Sequence, residues 1–186
     1  MYLALCYDYL GQGLPSSFFK KLFKVSEKEI INIENYFSND SSIVDSLLST
    51  SQEGNYKFWS IRHYFFANQL KIQILSGNSE NPEIWRQGLA DICVKFIEDS
   101  ISDSNTTEYV QETLQKLFIG NRKDRAGEDF TSIINDIDSI DGKERVFLSL
   151  KESYPENPHY CSHLARFYSY HNKNREKALK YADEAI

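Results

Sequence analysis

Glycine and proline are scarce in this chain of 186 residues, eight and four respectively. So few breakers exclude a loop-dominated chain and favour long regular elements. Cysteine is scarcer still. Cys6, Cys93 and Cys161 are an odd number at wide spacings, which argues against a disulfide framework. Each lies among mostly apolar or aromatic neighbours and reads as a reduced core thiol in a reducing compartment. No apolar run approaches the roughly 18 residues that cross a bilayer. The start, Met1 to Asp8, lacks a basic stretch and meets an acid too soon for a secretory signal. A cytoplasmic chain with no membrane partner is the expectation. Positive charge is also short: the net charge is −6, and residues 1 to 78 carry as many basic as acidic side chains, so the acidic excess lies beyond them. That is the wrong sign for non-specific nucleic-acid binding.

Catalytic signatures are missing as well. The one Gly-Lys pair, Gly142-Lys143, is followed by Glu144 and has no glycine at the upstream spacing of a phosphate-binding loop. Neither a Gly-x-Ser-x-Gly elbow nor a Cys-x-x-Cys pair occurs. A non-catalytic chain is expected.

Aromatic residues are plentiful, with 12 Phe and 12 Tyr in a composition that is 41% hydrophobic. That is enough apolar material for a real core. Leu3 to Leu10 reads as a helix stopped by Gly11-Gln12-Gly13. Pro15 sits where a first helical residue is tolerated, opening Ser16 to Phe23. Ser26 and Glu29 form a capping box ahead of Ile30, Ile31, Ile33 and Phe37. Two short apolar segments, Ser46 to Thr50 and Tyr56 to Ile61, flank a turn in which Gly54-Asn55 supplies positive backbone angles, a hairpin signal. Phe65, Phe66, Leu70 and Ile74 then resume a helical period.

The expected fold is mostly α: a winged-helix domain with one β-hairpin, residues 1–78, a helical spacer, 79–123, and tetratricopeptide-like helical repeats, 124–186, the last one truncated. In the second half helices are expected over Pro82 to Ser100, Thr106 to Ile119, Glu128 to Asp138, Lys143 to Tyr154, Pro158 to His171 and Arg175 to Ile186. Breaks are expected at Asp103-Ser104-Asn105, Gly120-Asn121, Asp141-Gly142, Pro155-Glu156-Asn157 and Asn172-Lys173-Asn174. In the last hairpin Leu164, Ala165 and Tyr168, then Ala178 and Ala185, fall at the small and aromatic positions of a tetratricopeptide unit. The register carried backwards gives a degenerate preceding unit with Phe130, Ile134, Phe147 and Pro155. A partly exposed apolar face is expected on the final helix at Ala178, Tyr181, Ala182 and Ala185.

His159 and His163 stand four apart with Cys161 between them, but Cys161 points away from both on a helix of 3.6 residues per turn, so no metal site is assigned. A winged helix invites a DNA-binding reading, yet the recognition helix would carry Glu27, Glu29 and Glu34 toward phosphates, and Lys20, Lys21 and Lys24 make only a small basic cluster. Nucleic acid is not an expected partner. At the junction of strand and helix, the pair Arg62-His63 is either a local cap or within reach of the phosphates of a nucleotide on a neighbouring domain.

The order of elements resembles the region that follows the ATPase core of STAND proteins, the signal-transduction NTPases with numerous domains. The stretches that carry the likeness are Leu3 to Pro15, opening the winged helix, and Ile61-Arg62-His63, closing it. Further on, Asp129 to Ile134 and Asn157 to Tyr168 resemble the branch of the sterile-alpha-motif antiviral factors of vertebrates and related bacterial defence NTPases. The resemblance implies a regulatory and sensor segment in immune or defence signalling. His63 would take the place of the histidine of a Met-His-Asp-like motif, with Arg62 for the methionine and Tyr64 for the aspartate. ADP or ATP is implied only together with an ATPase domain that this chain lacks, packed on the winged helix. The repeats are implied to bind a protein partner or trigger, with Tyr160, His163, Arg166 and Tyr170 as its contacts. Two other readings stand beside this one: a repeat adaptor with no nucleotide link, and a winged-helix DNA-binding protein.

Overall fold

A computed structural model describes residues 1–23, 46–77, 79–81, 83–101, 107–120 and 131–186. The chain is mostly α-helical with a small antiparallel sheet. Helix α1, Tyr2–Leu10, buries Leu3, Ala4, Leu5 and Cys6 and ends at Gly11, whose φ of 64° brings its N–H to the Tyr7 carbonyl at 2.9 Å. Strand β1 is Leu14–Pro15 and helix α2 is Phe18–Phe23. Pro15 therefore does not open a helix. It pairs with Phe58 at the outer edge of the sheet, a place open to a residue that has no N–H to donate.

Strands β2, Leu48–Glu53, and β3, Tyr56–Ile61, form the expected hairpin, from Leu48 opposite Ile61 to Glu53 opposite Tyr56. Gly54, at φ +58°, supplies the positive angle at the first central position of the two-residue turn. The sheet order is β1-β3-β2. The capping box at Ser26 and Glu29, the apolar residues from Ile30 to Phe37, Lys24, and the carboxylates Glu27, Glu29 and Glu34 lie outside the described residues, as do Phe130 and the break at 103–105.

Helix α3, Tyr64–Ser76, faces inward through Ala67 and Lys71. Phe65 (57% exposed), Phe66 and Ile74 turn outward, contrary to the apolar side expected of them. The reason is electrostatic. Lys71 Nζ lies 2.5 Å from the Asp8 carboxylate, with both side chains almost fully buried, and sits over the rings of Tyr9 and Trp85 at 4.5 and 4.3 Å. A charge pair removed from water is tolerated only when closed in this way, and forming it fixes the rotation of α3.

Helix α4, Trp85–Ser100, buries Leu89, Ala90, Cys93, Phe96 and Ile97. Helix α5, Thr107–Leu114, runs into a π turn, Gln115–Ile119, where three successive residues, Leu117, Phe118 and Ile119, are buried. A widened turn changes which residues share a face. Short α6 is Ser132–Asp136, followed by α7, Ile140–Ser153, α8, Pro158–Tyr170, and α9, Arg175–Asp183. The break expected at Asp141-Gly142 is instead the first turn of α7, capped by Ser139, whose Oγ accepts from the Gly142 N–H at 2.9 Å.

Packing runs from α1 to α3, α3 to α4, α4 to α7, α7 to α8 and α8 to α9. Most of the buried apolar side chains form one cluster, from Leu3 to Tyr181. Tyr2 stacks on Phe96 at 4.6 Å and donates to Asp99, while Tyr9 donates to Asp136 at 2.6 Å. Cys6, Cys93 and Cys161 are buried and unbridged, and burial raises the pKa of each thiol. Among the described residues no helix is long and apolar enough to cross a membrane.

Candidate functional site

Two regions gather the residues singled out in the sequence. The first is the corner between β3 and α3. His63 caps α3: its backbone is extended, and Nδ1 accepts from the Phe65 N–H at 3.2 Å. Arg62 is drawn back toward β2, with Nε and Nη2 each 3.4 Å from the Leu48 carbonyl. Both residues are exposed, and so are Tyr64, Phe65 and Phe66 beside them. The Phe66 and His63 rings are T-shaped to each other, with centroids 6.2 Å apart. The chemistry available is an imidazole with one nitrogen committed to the helix cap and a guanidinium held by one carbonyl, framed by aromatic rings.

The second region is the α8–α9 hairpin. Asn157 caps α8 ahead of Pro158, accepting from His159 N, and Asn174 caps α9, accepting from Lys177 N at 3.0 Å. An asparagine cap with proline at the first position fixes where a helix starts. The turn between the helices passes through Lys173 at φ 52°, a left-handed angle rare outside glycine. Tyr168 of α8 stacks on Tyr181 of α9 with ring centroids 5.5 Å apart.

Glu144 of α7 holds the hairpin in place. Its carboxylate accepts from the Tyr168 hydroxyl, from Lys177 Nζ at 3.0 Å and from Asn172 Nδ2 at 3.1 Å. These bonds, Tyr168 first, hold the Glu144 carboxyl below its ordinary pKa, and burial and then the Glu144 carboxylate raise the Tyr168 hydroxyl, with Lys177 opposing. Glu184 of the C-terminal end pairs with Lys151 of α7, whose pKa it raises.

Tyr160 and His163 lie inside the bundle, Tyr160 beside Tyr154 and His163 beside Phe147. Burial raises the Tyr160 phenol. Arg166 and Tyr170 are the two of the four expected partner contacts that reach the surface. Together with Lys173, Arg175 and Leu179 they border a groove of about 460 Å³ floored by Ala165, Ala178 and Ala182. Tyr170 is 64% and Leu179 56% exposed. Ala178 and Tyr181, expected to be on an exposed apolar face, are core residues turned toward α8, while Leu179 and Ala182 face out. Positions 175, 179 and 182 recur at i, i+4 and i+7, one helix face.

The lining carries three cations and no carboxylate. Ion pairs of the hairpin include Lys177–Glu144, Lys151–Glu184 and Lys180–Glu184. Among the described residues Lys173 and Arg175 take part in no ion pair. His159, exposed, and Cys161 and His163, buried, do not converge, and no three metal-ligating side chains gather elsewhere among the described residues. No family model, curated protein or solved structure matches the chain.

Proposed function

We propose that this chain is a regulatory and sensor segment of a STAND-type NTPase in defence signalling, and that it acts by binding a protein partner along the α8–α9 groove. The observation that supports binding is the groove itself: alanine floor, exposed Tyr170 and Leu179 at the border, and at the rim Lys173 and Arg175, which take part in no ion pair among the described residues. Uncovered aromatic and aliphatic side chains around small residues are what a helix-sized partner covers. A photo-crosslinker at position 170 in cells of the source should give one discrete protein adduct that Leu179→Glu abolishes. No adduct, or one indifferent to Leu179→Glu, overturns the partner-binding reading.

The tie to nucleotide state rests on His63, exposed at a helix start beside Arg62. Replacing it with Ala also removes a helix cap, a loss of about 1 kcal/mol, so the informative variant is His63→Asn, which keeps the cap. Adenine nucleotide that copurifies with the intact gene product should fall in His63→Asn. Unchanged nucleotide content, or none in the wild type, removes this tie and leaves the adaptor reading.

A further inference from the structure

We infer that the occupant of the α8–α9 groove is an acidic amphipathic helix, a deeper statement of the partner-binding reading and dependent on it. Its floor is Ala165, Ala178 and Ala182. Alanine at three neighbouring positions lets a second helix approach closely, near the 8 Å lower end of interaxial distances. Leu179 and Tyr170 stand at the border with more than half of their surface open, placed to cover one apolar stripe of that helix.

Charge sets the occupant's class. The chain carries a net charge of −6, yet this lining gathers Arg166, Lys173 and Arg175 and no acid. Glu176 and Asp183 sit roughly a quarter-turn round α9 from the Arg175–Leu179–Ala182 face, at about 100° per residue. Lys177 pairs with Glu144, and Lys180 shares Glu184 with Lys151, whereas Lys173 and Arg175 have no carboxylate partner among the described residues. Local inversion of the molecule's overall sign selects carboxylates at the rim, and rim charges contribute specificity and association rate more than affinity.

Lys173 also offers a clean variant. Its φ of 52° suits glycine better than lysine, so Lys173→Gly deletes a cation without straining the turn. The test titrates the full chain into two fluorescein-labelled helical peptides of about 20 residues, long enough to form helix. Both carry the same Leu/Ala stripe, flanked in one by Glu and in the other by Lys. The Glu peptide should bind and the Lys peptide should not. Lys173→Gly and Arg175→Gln should each weaken the Glu peptide by about fivefold, the scale of one exposed ion pair, and high salt should do the same. Leu179→Glu should abolish binding.

Equal binding of the two peptides, lost in Leu179→Glu, overturns the acidic preference and leaves the groove a protein-binding site. Binding of neither peptide overturns the inference, and the crosslinking result then decides whether the wider reading falls with it. Displacement of the Glu peptide by single-stranded RNA at matched charge, sensitive to Arg175→Gln, also overturns it, because the rim then reads polyanions and not a helix.

Discussion

Gly142 shows how one missing methyl group can set an element. Glycine inside a helix is ordinarily worse than alanine by about 1 kcal/mol. A Cβ here, however, would meet Ser139 Oγ at 2.7 Å, Ala90 Cβ at 3.0 Å and Ile137 Cγ2 at 3.0 Å, displacing the side chain that caps α7 and pushing α7 off α4. Overpacking of that kind costs about 1–3 kcal/mol, so Gly142→Ala should lower stability in urea unfolding despite its better propensity. Asp-Gly punctuation reads as a turn in the sequence because nothing local reveals Ala90.

The Lys71–Asp8 pair was equally hidden, although a signal exists: each is a lone charge in an apolar run, and the two are opposite in sign. Removing one partner of a buried pair costs about 3–5 kcal/mol. Asp8→Leu should therefore be severely destabilising, and adding Lys71→Met should recover much of the loss. If the double variant is no more stable than the single one, the aromatic cage rather than the charge pair is what matters.

Among the elements, helices and the hairpin were legible because their signals are local. Gly54 marks the turn, Gly11 stops α1, and Asn157-Pro158 starts α8. What the sequence did not show is rotation. Phe65 and Phe66 carry the right period but face out, and Leu179 rather than Ala178 borders the groove, because each helix is turned by contacts far away in the chain. Two carboxylates tie α7 to α9, Glu184 through Lys151 and Glu144 through Lys177, and Glu144 also binds Tyr168 and Asn172. Glu144 is held below its ordinary pKa, so its contribution is complete above the usual carboxylate value near pH 4.3 and fades as pH falls through the lowered one. Glu144→Gln should be less stable than the parent at neutral pH, and the gap should close in acid. A gap that does not narrow as the pH falls would assign the effect to packing.

At the scale of the whole molecule, α3 and α4, on either side of the boundary expected after residue 78, pack on each other, and their buried apolar side chains belong to one cluster. The polar stretch from Ser76 to Asn81 marks a change of element without revealing what packs across it. Of the site, Arg166 and Tyr170 were legible as surface positions on a helix, while Lys173 and Arg175 required knowing that the turn folds back along α8.

The three thiols turn this architecture into a clock. Cys6 and Cys93 are sealed inside α1 and α4 and Cys161 is buried less deeply in α8, with the pKa of each raised by burial. A thiol in that state is alkylated only after the surrounding structure opens. Labelling followed by peptide mass spectrometry should therefore time the opening of each third of the chain from within, with no engineered probe. One shared rate marks a single cooperative unit, and three separate rates rank which part lets go first.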